Sequence, residues 1–222
     1  MVNEFVNYRR NMFVIGLTGG IGTGKGEVAR VLSELGAEII EADEVAHETY
    51  RPGTSGWQQI VDEFGERVLT STGTVDRNKL GAIVFGDKKA LRRLNTIVHP
   101  LTRSLIEQRL KQLREFGAHT VVVEVPLLVE AVRKDVRWTS LIDEIWATDA
   151  EEANVVERVR RRSGLDAEAT KARVQSQVPS EERLAQADVV IGNNGTLADL
   201  KRSVRRLWAD RVKPKRKQQS QV

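Results

Sequence analysis

The chain has 222 residues, 40% hydrophobic and 30% charged, with a formal net charge of +4 at pH 7; it can bury one substantial core, expected as one domain or a compact core with inserted lobes. No apolar run approaches the roughly 20 residues a membrane span needs, and the N-terminal MVNEFVNYRRN lacks the apolar core of a signal peptide, so a cytoplasmic protein without membrane attachment is expected. The absence of cysteine excludes disulfides, thiol chemistry and cysteine-rich zinc sites, and His47, His99 and His119 are scattered, which leaves a hard cation held by oxygens as the expected kind of metal.

FVIGL at 13–17 is a short apolar, β-branched run that ends in glycines, as a buried strand entering a tight turn does. Beyond the glycines, Val28, Val31, Leu32 and Leu35 recur at helical spacing and Gly36 follows as a stop. AEIIEAD at 37–43, TVVVEVP at 120–126, DEIWATD at 143–149 and DVVIGNNG at 188–195 read as four further strands. Because these runs do not alternate and are separated by helical patterns, they predict an α/β fold with a parallel sheet covered on both faces.

The predicted core comprises residues 12–43, 119–150 and 185–212, and the gap between the second and third strands is far longer than one crossover helix needs. A helical insertion is expected over 44–118: Trp57, Ile60, Val61 and Phe64 form one stripe, TSTGTVDR forms a turn, and Leu101, Leu105 and Leu113 mark a longer amphipathic helix after Pro100. Residues 151–184 are charged and helical with few large apolar side chains, the pattern of a mobile lid. The basic excess sits in ERVRRRSG at 157–164 and in the tail, residues 213–222, which reads as a solvated, disordered end; nucleic-acid contact is the rival reading of that tail.

The stretch GGIGTGKGEV at 19–28 carries the chemistry. Glycines at 19, 20, 22 and 24 let the backbone bend tightly enough to point N–H groups at an anion, and the following helix adds its positive end. Gly20, Gly22, Thr23, Gly24, Lys25, Gly26 and Glu27 are the expected nucleotide contacts, with Lys25 reaching the outer phosphates. Gly26 stands where such loops usually carry Ser or Thr, whose hydroxyl helps hold magnesium, so magnesium is expected to be held by phosphates and water. Glu27 suits the helix dipole but has the wrong sign for phosphates unless it points outward.

With this loop, IIEADEVAHETY, NTIVHP, VPLLVE and IGNNGT in order, the chain resembles bacterial dephospho-coenzyme A kinases from about residue 13 to 211. The resemblance implies a P-loop fold with a five-stranded parallel core, a helical coenzyme-A-binding insertion and a helical lid. It further implies ATP and magnesium as cofactors and dephospho-coenzyme A as acceptor. On it, Asp43 corresponds to the second acid of the family's DAD motif and is the candidate base for the ribose 3′-hydroxyl; capping of the following helix is the other reading of an acid there. Arg158 and Arg162 correspond to the lid arginines that reach the triphosphate, and Asn193 to an adenine-contacting turn. Thr18, His99, Pro126, Leu127, Leu128 and Glu130 fall in acceptor-site segments, with His99 a contact or helix-start residue.

Lys25, Asp43 and Arg158 are thus the expected catalytic residues of an ATP-dependent transfer to the 3′-hydroxyl, in a monomer or weak oligomer with no nucleic-acid partner. Two alternatives stay open: another small kinase acting on a nucleoside monophosphate, and a non-catalytic nucleotide- or coenzyme-A-binding protein. Gly26, Glu27, Glu41 and Gly192, which depart together from the family pattern, support the second.

Overall fold

A computed structural model describes residues 12–126, 128, 136–163 and 180–212. The chain divides into two compact units, residues 1–40 with 113–222, and residues 41–112.

The first unit is built on a five-stranded sheet of β1 (Phe13–Gly19), β2 (Glu38–Glu41), β3 (Thr120–Glu124), β4 (Glu144–Asp149) and β5 (Val189–Gly192) in the order β2-β3-β1-β4-β5. β1 pairs in parallel with β3 and β4, with Ile15 opposite Val122 and Glu144, and β4 pairs in parallel with β5. Every residue of β1 is buried, as a central parallel strand covered on both faces requires. β5 alternates buried and exposed residues, as an edge strand with one free face does. Four of the five strands lie within the predicted runs and β1 extends two residues past its run to Gly19, but β2 ends at Glu41, so Asp43 falls in the next helix and not in the strand.

α1 (Lys25–Glu34) buries Val28, Ala29, Val31 and Leu32 in the main core with Phe13, Ile15, Leu17, Trp146, Ile191 and Val204. Gly36, at φ +96°, lets the chain turn back so that Gly36 N–H donates to Ser33 at 2.9 Å and Ala37 N–H to Leu32 at 3.0 Å. Connections from β1 and β3 leave toward opposite edges, so the switch point where such sheets bind ligands lies at the carboxyl ends of β1 and β3, marked by Gly19 and Glu124.

The second unit holds α2 (Ala42–Glu48), α3 (Ser55–Phe64), α4 (Arg77–Gly86) and most of α5 (Lys88–Glu115), around a core of Ile60, Phe64, Val68, Leu80, Val84, Ala90 and Val98. Thr54 and Asp76 cap α3 and α4, accepting from Trp57 N–H and from Asn78 and Lys79 N–H. TSTGTVDR makes the predicted turn, closed by Thr70 N–H on Thr74 at 2.8 Å.

The helix expected to begin after Pro100 instead begins at Lys88 and runs through the proline. Its buried row, Val98, Thr102, Ile106 and Leu110, passes Pro100 at four-residue spacing, and packing holds the helix together where propensity would break it. Pro100 and Thr96, whose carbonyl loses its usual partner, are both exposed to water.

Among the described residues the first unit also holds the α-helices α6 (Glu152–Ser163), α7 (Ser180–Leu184) and α8 (Leu197–Leu207), the last opened by a capping box between Thr196 and Asp199. Residues 164–179 of the predicted lid and the predicted basic tail, 213–222, lie outside the described residues.

Candidate active site

β1 delivers the chain at Gly19 into a loop that closes at Gly24, the cap of α1, with φ +100°. That left-handed conformation favours glycine, and the cap makes no side-chain bond to the helix. The N–H groups of Gly24, Lys25 and Gly26 have no protein acceptor among the described residues, so the first turn offers its donors outward. Gly22, at φ +75°, lies under α6: a Cβ there would meet Val159 at 2.8 Å and Val155 at 3.1 Å. Two buried valines thus seat the start of the charged segment on the loop.

Lys25 opens α1, and its ammonium forms an ion pair with Glu124 at the carboxyl end of β3, both side chains largely shielded. The sequence reading did not single out Glu124; an acid closing the apolar run TVVV is the signal it left. Thr23 is buried: its hydroxyl donates to Gly20 O at 2.7 Å and stands 2.6 Å from Thr148 Oγ1. A Cβ at Gly26 meets nothing within 4 Å. Glu27 turns along its own helix, held by Arg30 and flanked by Lys201 at 4.0 Å. The Arg30 hydrogen bond draws its carboxyl below the usual range.

Arg158, on α6, donates from Nη2 to Asn193 O at 2.8 Å, while its buried Nη1 meets no acceptor among the described residues. Asn193, in the turn after β5, donates from Nδ2 to Thr23 O at 2.9 Å. Loop, turn and arginine are therefore one hydrogen-bonded unit.

A sequence model of the dephospho-CoA kinase family matches residues 13–199. The chain belongs to this family. A dephospho-CoA kinase of Geobacter sulfurreducens is 43% identical over 200 residues, 90% of this chain and 99% of the relative. Among solved structures, TT1252 from Thermus thermophilus superposes with a TM-score of 0.74 at 33% identity, covering 90% of this chain and 98% of its own. Dephospho-CoA kinase from Campylobacter jejuni gives 0.68 at 27% identity, with the same coverages.

In this kinase the remaining predicted site residues are placed as follows. Asp43 is exposed in the first turn of α2 in the second unit, where Glu41 is the cap and makes no side-chain cap bond. The helix-capping reading of Asp43 therefore fails. His99 is exposed in the middle of α5 and is not a helix-start residue, because the helix opens eleven residues earlier at Lys88. Thr18 is fully buried and donates to Pro126 O at 3.1 Å, tying the ends of β1 and β3 together. Leu128 is also fully buried, in space left by Gly16, where a Cβ would meet it at 2.6 Å. Leu127 and Glu130 lie outside the described residues, as does the side chain of Arg162, which follows Arg158 on α6.

His47, half-buried on α2, has its pKa lowered by burial and then by the charge of Arg77, against the opposing pull of Glu44 and Asp43. Its ring meets Tyr50 edge-on with centroids 5.9 Å apart. Among the described residues no cluster of three or more His, Asp or Glu forms a cage for a metal ion, and no helix is long and apolar enough to cross a membrane.

Proposed function

We propose that this kinase acts in the cytoplasm and transfers the γ-phosphoryl group of ATP to the ribose 3′-hydroxyl of dephospho-coenzyme A, giving coenzyme A and ADP. The observation that carries this reading is the loop itself: outward-facing N–H groups at the start of α1, with Lys25 on its first turn, in a chain matched by the family from residue 13 to 199. Lys25 supplies a point charge to the outer phosphates, held in place by Glu124 until they arrive. Arg158 offers Nη1, which meets no acceptor among the described residues, to the same anion. Asp43 accepts the proton of the attacking hydroxyl. Such catalysis is positioning and electrostatics, so each group acts by where it holds charge.

Magnesium, when bound, neutralises charge across the phosphate oxygens. The donor set fits a hydrated ion: Glu124 presents a carboxylate at the switch point, Gly26 presents open space, and magnesium needs only one or two carboxylates beside phosphates and water. We assign Glu124, through water, as the protein's contribution to that shell.

The test is ADP formation from ATP and magnesium, with dephospho-coenzyme A compared against a panel of nucleoside monophosphates, for the wild type and Lys25→Ala. Turnover confined to dephospho-coenzyme A and lost in Lys25→Ala is expected. Turnover on a nucleoside monophosphate, or a wild type no faster than Lys25→Ala, would overturn the reading.

A further inference from the structure

We propose that Thr148 and Asn193 are positioning residues of the phosphate loop, which together fix the Thr23–Gly24 peptide so that its N–H faces the nucleotide phosphates. The proposal rests on the ATP-binding reading above and concerns how that site is held ready.

Thr23 is 3% exposed and is gripped at two points. Its hydroxyl carries one proton, given to Gly20 O at 2.7 Å, so across the 2.6 Å contact Thr148 is the donor and Thr23 the acceptor. The alternative acceptor for Thr148, Thr18 O, lies farther away at 3.4 Å. The second grip is on the carbonyl, which accepts from Asn193 Nδ2 at 2.9 Å. Asn193 is itself anchored by its main chain: its N–H donates to Asp149 O at 2.8 Å and its carbonyl accepts from Arg158 at 2.8 Å. The side chains come from the end of β4 and the turn after β5, both in the first unit.

A planar trans peptide points its C=O and the following N–H in opposite directions. With Thr23 O drawn back onto Asn193, the Gly24 N–H is turned the other way, and it has no acceptor of its own among the described residues. The glycines record the closeness of both grips. A Cβ at Gly19 would lie 2.0 Å from Thr148 Oγ1, and one at Gly24 would lie 2.3 Å from Asn193 Nδ2. Asn193 is 7% exposed, and its amide donates to the loop.

The test is calorimetric binding to the full chain of three probes: ATP, inorganic tripolyphosphate, which has no base, and dephospho-coenzyme A. Thr148→Val and Asn193→Ala are each expected to weaken ATP and tripolyphosphate by the same factor, about tenfold, with dephospho-coenzyme A unchanged. Thr148→Ser, which keeps the donor, stays within about twofold of wild type, and Asn193→Asp, which keeps the size and loses the donor, falls with Asn193→Ala. An Asn193→Ala variant that loses ATP but binds tripolyphosphate normally would make Asn193 a base contact and overturn its role here. Wild-type affinities in Thr148→Val, or equal loss of all three probes, would overturn the role of Thr148. A wild type that binds neither ATP nor tripolyphosphate would instead sink the kinase reading beneath the proposal.

Discussion

Replacing Gly26 by serine tests the feature of the loop that departs most from its pattern. Residue 26 is the second residue of α1, a Cβ there meets nothing within 4 Å, and its φ lies outside the left-handed region. The substitution therefore has no steric cost, and exchanging glycine for serine in a helix recovers about 0.5 kcal/mol. For a chain of this size that raises Tm by about 1 to 2 °C. The added hydroxyl gives magnesium a ligand in place of one water, so the magnesium concentration for half-maximal rate falls about tenfold, or about 1.4 kcal/mol. The assay is coupled ADP formation at fixed ATP and dephospho-coenzyme A across a magnesium titration, beside thermal melts of both proteins. A higher Tm with an unchanged magnesium curve would refute the reasoning about the missing ligand. A Tm lowered by several degrees would refute the reasoning about the space.

Glu124→Gln removes a carboxylate that pairs with Lys25 and, on our reading, steadies the magnesium shell. ATP alone then binds more tightly, because the phosphates no longer compete with Glu124 for Lys25, while the gain from adding magnesium shrinks about tenfold. Calorimetry with and without magnesium checks this, and an unchanged ratio of the two affinities would count against it. His47 is expected to titrate below the ordinary histidine value of about 6.5, because burial and Arg77 disfavour its charged form. The native state thus binds fewer protons than the unfolded chain, so the associated stability is complete above about pH 6.5 and is lost as pH falls through the native midpoint. A ring midpoint at or above the ordinary value, read by NMR, would contradict this, as would a His47→Gln variant with the same acid stability curve.

The strands and the loop were legible because their signals are local. FVIGL must be buried on both sides, and only a tight turn explains glycines at 19, 20, 22 and 24 before a periodic helix. Pro100 misled for the same reason: proline favours a helix start, and only the tertiary row of Val98, Thr102, Ile106 and Leu110 shows that the helix continues through it. Asp43 was placed at a strand end because β-propensity does not show where a four-residue edge strand stops. Thr148 was not legible at all, since its partner Thr23 lies 125 residues away and a threonine closing an apolar strand has no pattern of its own. Glu124 left a trace, an acid at a strand end, but its meaning depends on β3 lying beside β1, which the sheet order supplies.

The contact between Gly19 and Thr148 also limits how this loop can drift. Any side chain at 19 would overlap the Thr148 hydroxyl, whose Oγ1 lies 2.0 Å from the Cβ position. Alanine at 19 is therefore tolerated only after 148 has become smaller, and a smaller residue at 148 deprives Thr23 of its donor. The order of substitutions matters as much as their identity, and most single steps away from this pair pass through a damaged loop. Gly24 and Asn193 form a second such pair at 2.3 Å. The two contacts together make the last turns of β4 and β5 part of the loop's inheritance, although they lie far from it in the chain.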